Sequence, residues 1–252
     1  MKAKINKNRQ NAYNAIRPFI YQSPALISIF LLSIMPIGIT FYYAFTNYNL
    51  NHLYDYKFVG FDNFVQIISG PFKSIFLPVL SWTIIFATVS TFGCFIIGLL
   101  IALLLNNPNM KEATIYKGIL IIPWAIPGTI ATLTWQGLLN ENYGGINLVL
   151  QKLHIISKAI PWFTDPTWAR IGILTANIWL GFPYMMNICI GTLSQIPDNF
   201  YEAADIEGAN WWQKFINITL PSIASTSYPL LISSFAFNFN NFGAAWLIME
   251  GL

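Results

Sequence analysis

A chain of 252 residues with 55% hydrophobic and only 9% charged side chains cannot coat a water-soluble surface, which takes roughly a quarter charged residues. Its mean hydropathy of +0.53 points to a membrane, and the net charge of +3, concentrated in the amino-terminal tail, implies no nucleic-acid partner. Cys94 and Cys189 fall in separate apolar stretches and read as small buried residues, not as a disulfide or metal pair.

Residues 1–23 form a tail in which Lys2, Lys4, Lys7, Arg9 and Arg17 meet no acidic residue, so the positive-inside rule puts it in the cytoplasm. Stretches 18–54, 74–110, 118–140, 171–197 and 215–249 contain no Asp, Glu, Lys or Arg. Each is long enough for the ~20 residues of a membrane-crossing helix, and helices satisfy their own backbone groups in lipid. The spans expected are about 24–46, 78–105, 119–139, 168–193 and 221–249 within a permease domain over 24–252. The first is too long for a signal-peptide core and has no small-x-small cleavage site, so it reads as an uncleaved span. Pro36 is expected to kink it, and Asn106-Asn107-Pro108 to stop the second. Pro123 and Pro127 break the third, and Pro183 lies inside the fourth. The fold class expected is an all-α membrane protein with five transmembrane helices.

No span carries a charged residue near its middle, which argues against a proton-coupled carrier. Neither a His-Glu-x-x-His zinc pair nor a phosphate-binding Gly-x-x-x-x-Gly-Lys loop occurs, so energy for active transport would come from another subunit. The loop between the fourth and fifth spans is anomalous. Asp198, Glu202, Asp205 and Glu207 face only Lys214, so anionic lipid would repel it and a protein partner suits it better. Pro197 and Asp198 suit a helix start, Gly208 permits a turn, and Asn210 can cap a second helix.

Residues 202–221 read EAADIEGANWWQKFINITLP. Glu202-Ala203-Ala204, Gly208 six residues after Glu202, and Leu220-Pro221 resemble the EAA loop of permeases in ABC importers. Glu207 stands where that family usually has Asp, keeping the charge. Segments 103–107 (LLLNN), 120–127 (LIIPWAIP), 177–184 (NIWLGFPY) and 233–242 (SSFAFNFNNF) are similar to the maltose/maltodextrin-type sugar permeases. The resemblance implies a type I ABC importer permease fold and import of maltose or malto-oligosaccharides across the bacterial cell membrane. It also implies a homologous second permease, an extracytoplasmic sugar-binding protein, and two ATP-binding subunits that carry the ATP and Mg. No cofactor is implied on this chain, and residues 197–218 would be the cytoplasmic coupling loop. That fold has six core helices, so this chain is expected to be a fragment lacking the last.

By the same resemblance Asn177, Leu180, Gly181 and Tyr184 on the fourth span would line the sugar site, with Ser234, Asn238 and Asn241 on the fifth. Neutral hydrogen-bonding groups beside an aromatic face are what a polyol needs, and Ser234, Asn238 and Asn241 recur at helical spacing. The same residues would equally serve as interhelical glue. Trp124 and Gly128 replace the Tyr and Ser of the maltose-type pattern, and Trp124 retains a face on which a sugar ring can stack. Other readings are a permease for another sugar, glycoside or glycerol-phosphate, and, in a different class, an uncoupled channel or a membrane scaffold.

Overall fold

The computed structural model describes residues 2–107 and 110–249, so Pro108 of the expected helix stop lies outside the described residues. Among the described residues four helices are long and apolar enough to cross a membrane, or five if one bent pair counts as a single span. The chain divides into two compact units, Met1–Val79 and Leu80–Leu252.

In the first unit, α1 (Lys2–Ile29) runs through a π turn (Phe30–Ile34) into α2 (Met35–Ala44). Residues 2–23 of the expected tail are therefore helical. Pro36 has no amide hydrogen and its ring crowds the preceding turn; the wider π turn just before it keeps the helix continuous. No side chain of α2 is buried within its own unit. After Ala44 the chain folds back through a single bridge between Thr46 and Phe58. Asn63 clasps this loop by donating to the carbonyls of Ala44 (2.9 Å) and Thr46 (2.8 Å). Tyr43 stacks on Tyr48 with ring centroids 4.3 Å apart, and Tyr56 closes edge-on against both, the amphipathic aromatic cluster expected at a membrane interface. The short α3 (Asp62–Ser69) follows.

In the second unit the spine is α9 (Pro166–Leu193) paired with the part of α4 (Lys73–Leu105) from Leu80 onward. Its α4 face carries small buried residues three or four apart: Ala87, Thr91, Cys94, Gly98 and Ala102. Side chains this small let backbones approach closely, since lipid offers helices no hydrophobic drive to associate. A Cβ on Gly98 would lie 2.6 Å from the Met186 backbone nitrogen, and one on Gly181 would lie 2.6 Å from Cys94 Sγ. Towards one end, Leu99, Ala102, Cys189, Leu193 and Ile223 form an apolar core; a second core joins Phe86, Leu139, Trp162, Ile173, Ala176 and Ile248.

The third span differs from a simple crossing. It consists of α5 (Ala113–Leu120), α6 (Ile122–Ala125) and α7 (Gly128–Leu138), bent by 91° at its break. Pro123 sits in the first turn of α6, where a missing amide hydrogen costs nothing. Pro127 makes the break by pushing Ile126 to ψ 136°. The loop after α7 contains α8 (Gly145–Lys152) and is tied by buried Asn147, which accepts from Ile160 N (3.1 Å) and Trp162 Nε1 (3.2 Å) and donates to the Ile160 carbonyl (3.0 Å). Asp165 then caps α9 by accepting from Thr167 N and Trp168 N.

The fifth span also departs from expectation. Its helix begins upstream of residue 221, as α11 (Trp211–Lys214) and a π turn (Phe215–Thr219), and continues as α12 (Leu220–Phe239). It ends ten residues short of 249; Asn240 lies outside helical geometry and Gly243 begins a separate α13 (Gly243–Met249), which packs on α7 and α9. Asn241 is therefore not on the same helix as Ser234 and Asn238.

Candidate functional site

The bend of the third span, the middle of α9 and the end of α12 surround a cavity of about 750 Å³. Trp124, Asn177, Leu180, Gly181, Tyr184, Ser234, Asn238 and Asn241 all line it, although they come from three regions of the sequence. None of its described lining residues is Asp, Glu, Lys, Arg or His. Trp124 and Tyr184 are 54% and 38% exposed, with ring centroids 6.0 Å apart and tilted by 31°, so they form one aromatic wall. Leu180 supplies apolar surface beside them. Gly181 serves chiefly to admit Cys94, whose thiol lies 3.7 Å from the Ile178 carbonyl.

The asparagines do not act alike. Asn238 is only 6% exposed, and its amide is already engaged. Its Nδ2 donates to the Ser234 carbonyl (2.9 Å) and to Thr91 Oγ1 on α4 (3.4 Å), while its Oδ1 accepts from Asn177 Nδ2 (2.9 Å). Asn177 Oδ1 in turn accepts from Asn241 Nδ2 (3.3 Å). Asn238 therefore links α4, α9 and α12, whereas Asn177 and Asn241 are less buried members of the same chain of amides.

A second constellation lies in the loop between α9 and α12. There α10 (Asp198–Ile206) starts after Pro197 with Asp198 in its first turn, which favours the helix dipole. Glu207 ends it, and Gly208 turns the chain at φ +75°. That region is open to glycine and strained for a branched residue. The turn is sealed by Gly208 N to the Asp205 carbonyl (3.0 Å) and Ala209 N to the Ala204 carbonyl (2.9 Å). Asn210 then begins α11 with a reciprocal capping box to Gln213. Lys214 pairs with Asp205 at 2.6 Å, and Tyr201 Oη lies 2.9 Å from Thr219 Oγ1, so α10 is fastened against the base of α12. Glu202, Ala203, Glu207 and Pro221 remain exposed, together with Ile206, Trp211 and Trp212; Ala204 and Leu220 are half-buried.

Thr91 escaped the reading of the sequence. A lone threonine in a uniformly apolar span carries no signal of its own, and its spacing to Cys94 and Gly98 announces only a packing stripe.

Residues 19–252 match the family of binding-protein-dependent transport system inner membrane components. This chain belongs to that family. It is 41% identical over 246 residues to the maltodextrin transport system permease protein MalC of Streptococcus pneumoniae, covering 93% of this chain and 56% of that protein. It is 35% identical over 238 residues to the galactooligosaccharides transport system permease protein GanP of Bacillus subtilis, covering 93% and 57%. The chain thus spans just over half the length of these relatives. A crystal structure of a bacterial ABC transporter that imports the acidic polysaccharide alginate shares the fold, with a TM-score of 0.75 at 22% identity, covering 96% of this chain and 81% of that one. As a family member the chain is an integral membrane component of a transport system, with the type I permease architecture of that neighbour.

Proposed function

We propose that this chain is the membrane-spanning permease subunit of an ATP-driven importer of maltose and malto-oligosaccharides. The observation that carries this reading is one uncharged cavity with an aromatic wall and a bank of amides, in a chain 41% identical to a maltodextrin permease. A neutral sugar brings hydroxyls for Asn177, Ser234 and Tyr184 and apolar ring faces for Trp124, so each chemical part of it meets a suitable surface. The absence of a cation among the described lining residues weighs against glycerol-phosphate. Galacto-oligosaccharide is the second reading, favoured by the 35% identity to GanP.

A homologous second permease would complete the pathway, an extracytoplasmic binding protein would deliver sugar, and two ATPase subunits holding ATP and Mg would dock on residues 197–218. The structural support is a rigid, exposed turn joined end-on to α12, the helix that also carries Ser234 and Asn238 to the cavity. The test is uptake of radiolabelled maltotriose by cells expressing the complete transporter, competed by unlabelled galactotriose. Saturable maltotriose uptake that galactotriose barely inhibits is expected. Preferential inhibition by galactotriose would move the assignment to the second reading, and no uptake of either sugar would refute the sugar reading.

A further inference from the structure

We propose that Thr91, which does not belong to the bank of sugar-facing residues, is a positioning residue that holds the whole amide chain in the direction dictated by the Ser234 carbonyl. The inference rests on the sugar-permease reading above and adds to it a residue on α4.

The Ser234 carbonyl can only accept, so it forces the Asn238 amide to present Nδ2 towards it. Thr91 Oγ1 lies on the same side at 3.4 Å, slightly nearer than Ser234 Oγ at 3.5 Å, and these two hydroxyls receive the second hydrogen of that group. With both its hydrogens committed, Asn238 can offer Asn177 only its Oδ1. Asn177 must then give its Nδ2 to that oxygen, and its own Oδ1 turns to Asn241. One orientation, set on α12 and braced from α4, is thereby propagated to α9 and on to the segment beyond α12. A sugar entering the cavity meets amides whose donors and acceptors are already arranged, instead of side chains free to flip by 180° on binding. Thr91 is 1% exposed, too deep to touch the sugar, so its influence passes only through Asn238.

Removing the hydroxyl while keeping the shape separates this role from packing. Thr91→Val, Thr91→Ser and Thr91→Ala are compared in the purified complete transporter. Retention of radiolabelled maltotriose is measured by equilibrium dialysis without the binding protein, and maximal uptake is measured in reconstituted vesicles. Loss of one ordering hydrogen bond is expected to raise the dissociation constant for maltotriose about five- to tenfold in Thr91→Val. Thr91→Ser is expected to stay within about twofold of the parent. If Thr91→Val fails to assemble, Thr91→Ala against Thr91→Ser makes the same comparison. An unchanged dissociation constant without the hydroxyl, or a serine variant as impaired as the alanine one, overturns the positioning role. A parent that takes up maltotriose but retains none also overturns it, leaving the sugar reading intact. A parent that takes up none overturns the sugar reading itself.

Discussion

Gly208 and Tyr184 show two ways in which a single side chain, or its absence, decides a site. At φ +75° Gly208 allows α10 and α11 to meet within a few residues, and a Cβ there would touch nothing within 4 Å. The penalty for a substitution is therefore in the backbone, about 1–2 kcal/mol for an L residue and more for a branched one. Gly208→Val should leave the transporter inserted and assembled yet sharply lower sugar-stimulated ATP hydrolysis in proteoliposomes. Parental stimulation in that variant would exclude a coupling role. Tyr184 combines a ring packed beside Trp124 with an exposed edge on the cavity. Tyr184→Phe keeps the ring and removes the hydroxyl, so maltotriose retention should weaken by a few-fold to about tenfold. If retention is unchanged, the ring alone matters and the hydroxyl faces water.

Elements were legible in the sequence to the extent that their signal is one-dimensional. Five uncharged stretches overlap four long apolar helices and one bent pair among the described residues, because desolvating a charge in lipid is costly wherever the chain leads. The capping residue Asn210 and the turn at Gly208 were likewise readable, since both are local. The 91° bend was not: two prolines four residues apart look equivalent on paper, but one falls in a first turn and the other at a boundary. Nor was the early end of α12, where asparagine side chains and Gly243 outweigh a run of apolar residues. The eight cavity residues could be named from resemblance, but their division into half-buried amides and a buried Asn238 braced by Thr91, 147 positions away, could not. The loop after α7 illustrates the same limit. Glu141 accepts from Phe163 N (3.0 Å) and from Thr164 N and Oγ1 (both 2.9 Å), and the first of these does most to hold its carboxyl below the usual carboxylate range. A carboxylate whose folded pKa is depressed stabilises fully above its unfolded pKa and loses that contribution as pH falls through the folded value. Protection of residues 141–166 from proteolysis should therefore hold from neutral pH down to about pH 5 and decline below about pH 4. Glu141→Gln should flatten that profile; an identical acid limb in the variant would assign the change to another group.

For the whole molecule, orientation follows from charge and from the number of crossings. Five unopposed cations in the tail and, with the bent pair counted as one crossing, four intervening spans would put both the amino terminus and the turn at Gly208 on the cytoplasmic side. Single cysteines replacing Asn8 and Asn210 in a cysteine-free background should resist an impermeant thiol reagent in intact cells and react after permeabilisation. Ready labelling of either in intact cells would reverse the assignment. The cavity adds a consequence of an electrical kind. Carrying one elementary charge through 100 mV changes the energy by about 2.3 kcal/mol, enough to alter a rate many-fold. Neither a neutral sugar nor any described residue lining this cavity brings such a charge. Translocation past this wall should then be indifferent to membrane potential. In proteoliposomes with internal ATP held constant, clamping the potential at different values with potassium and valinomycin should leave maltotriose uptake unchanged, and a steep dependence would show that charge moves with the sugar. A cell whose membrane is depolarised could go on feeding through such a pathway for as long as ATP lasts.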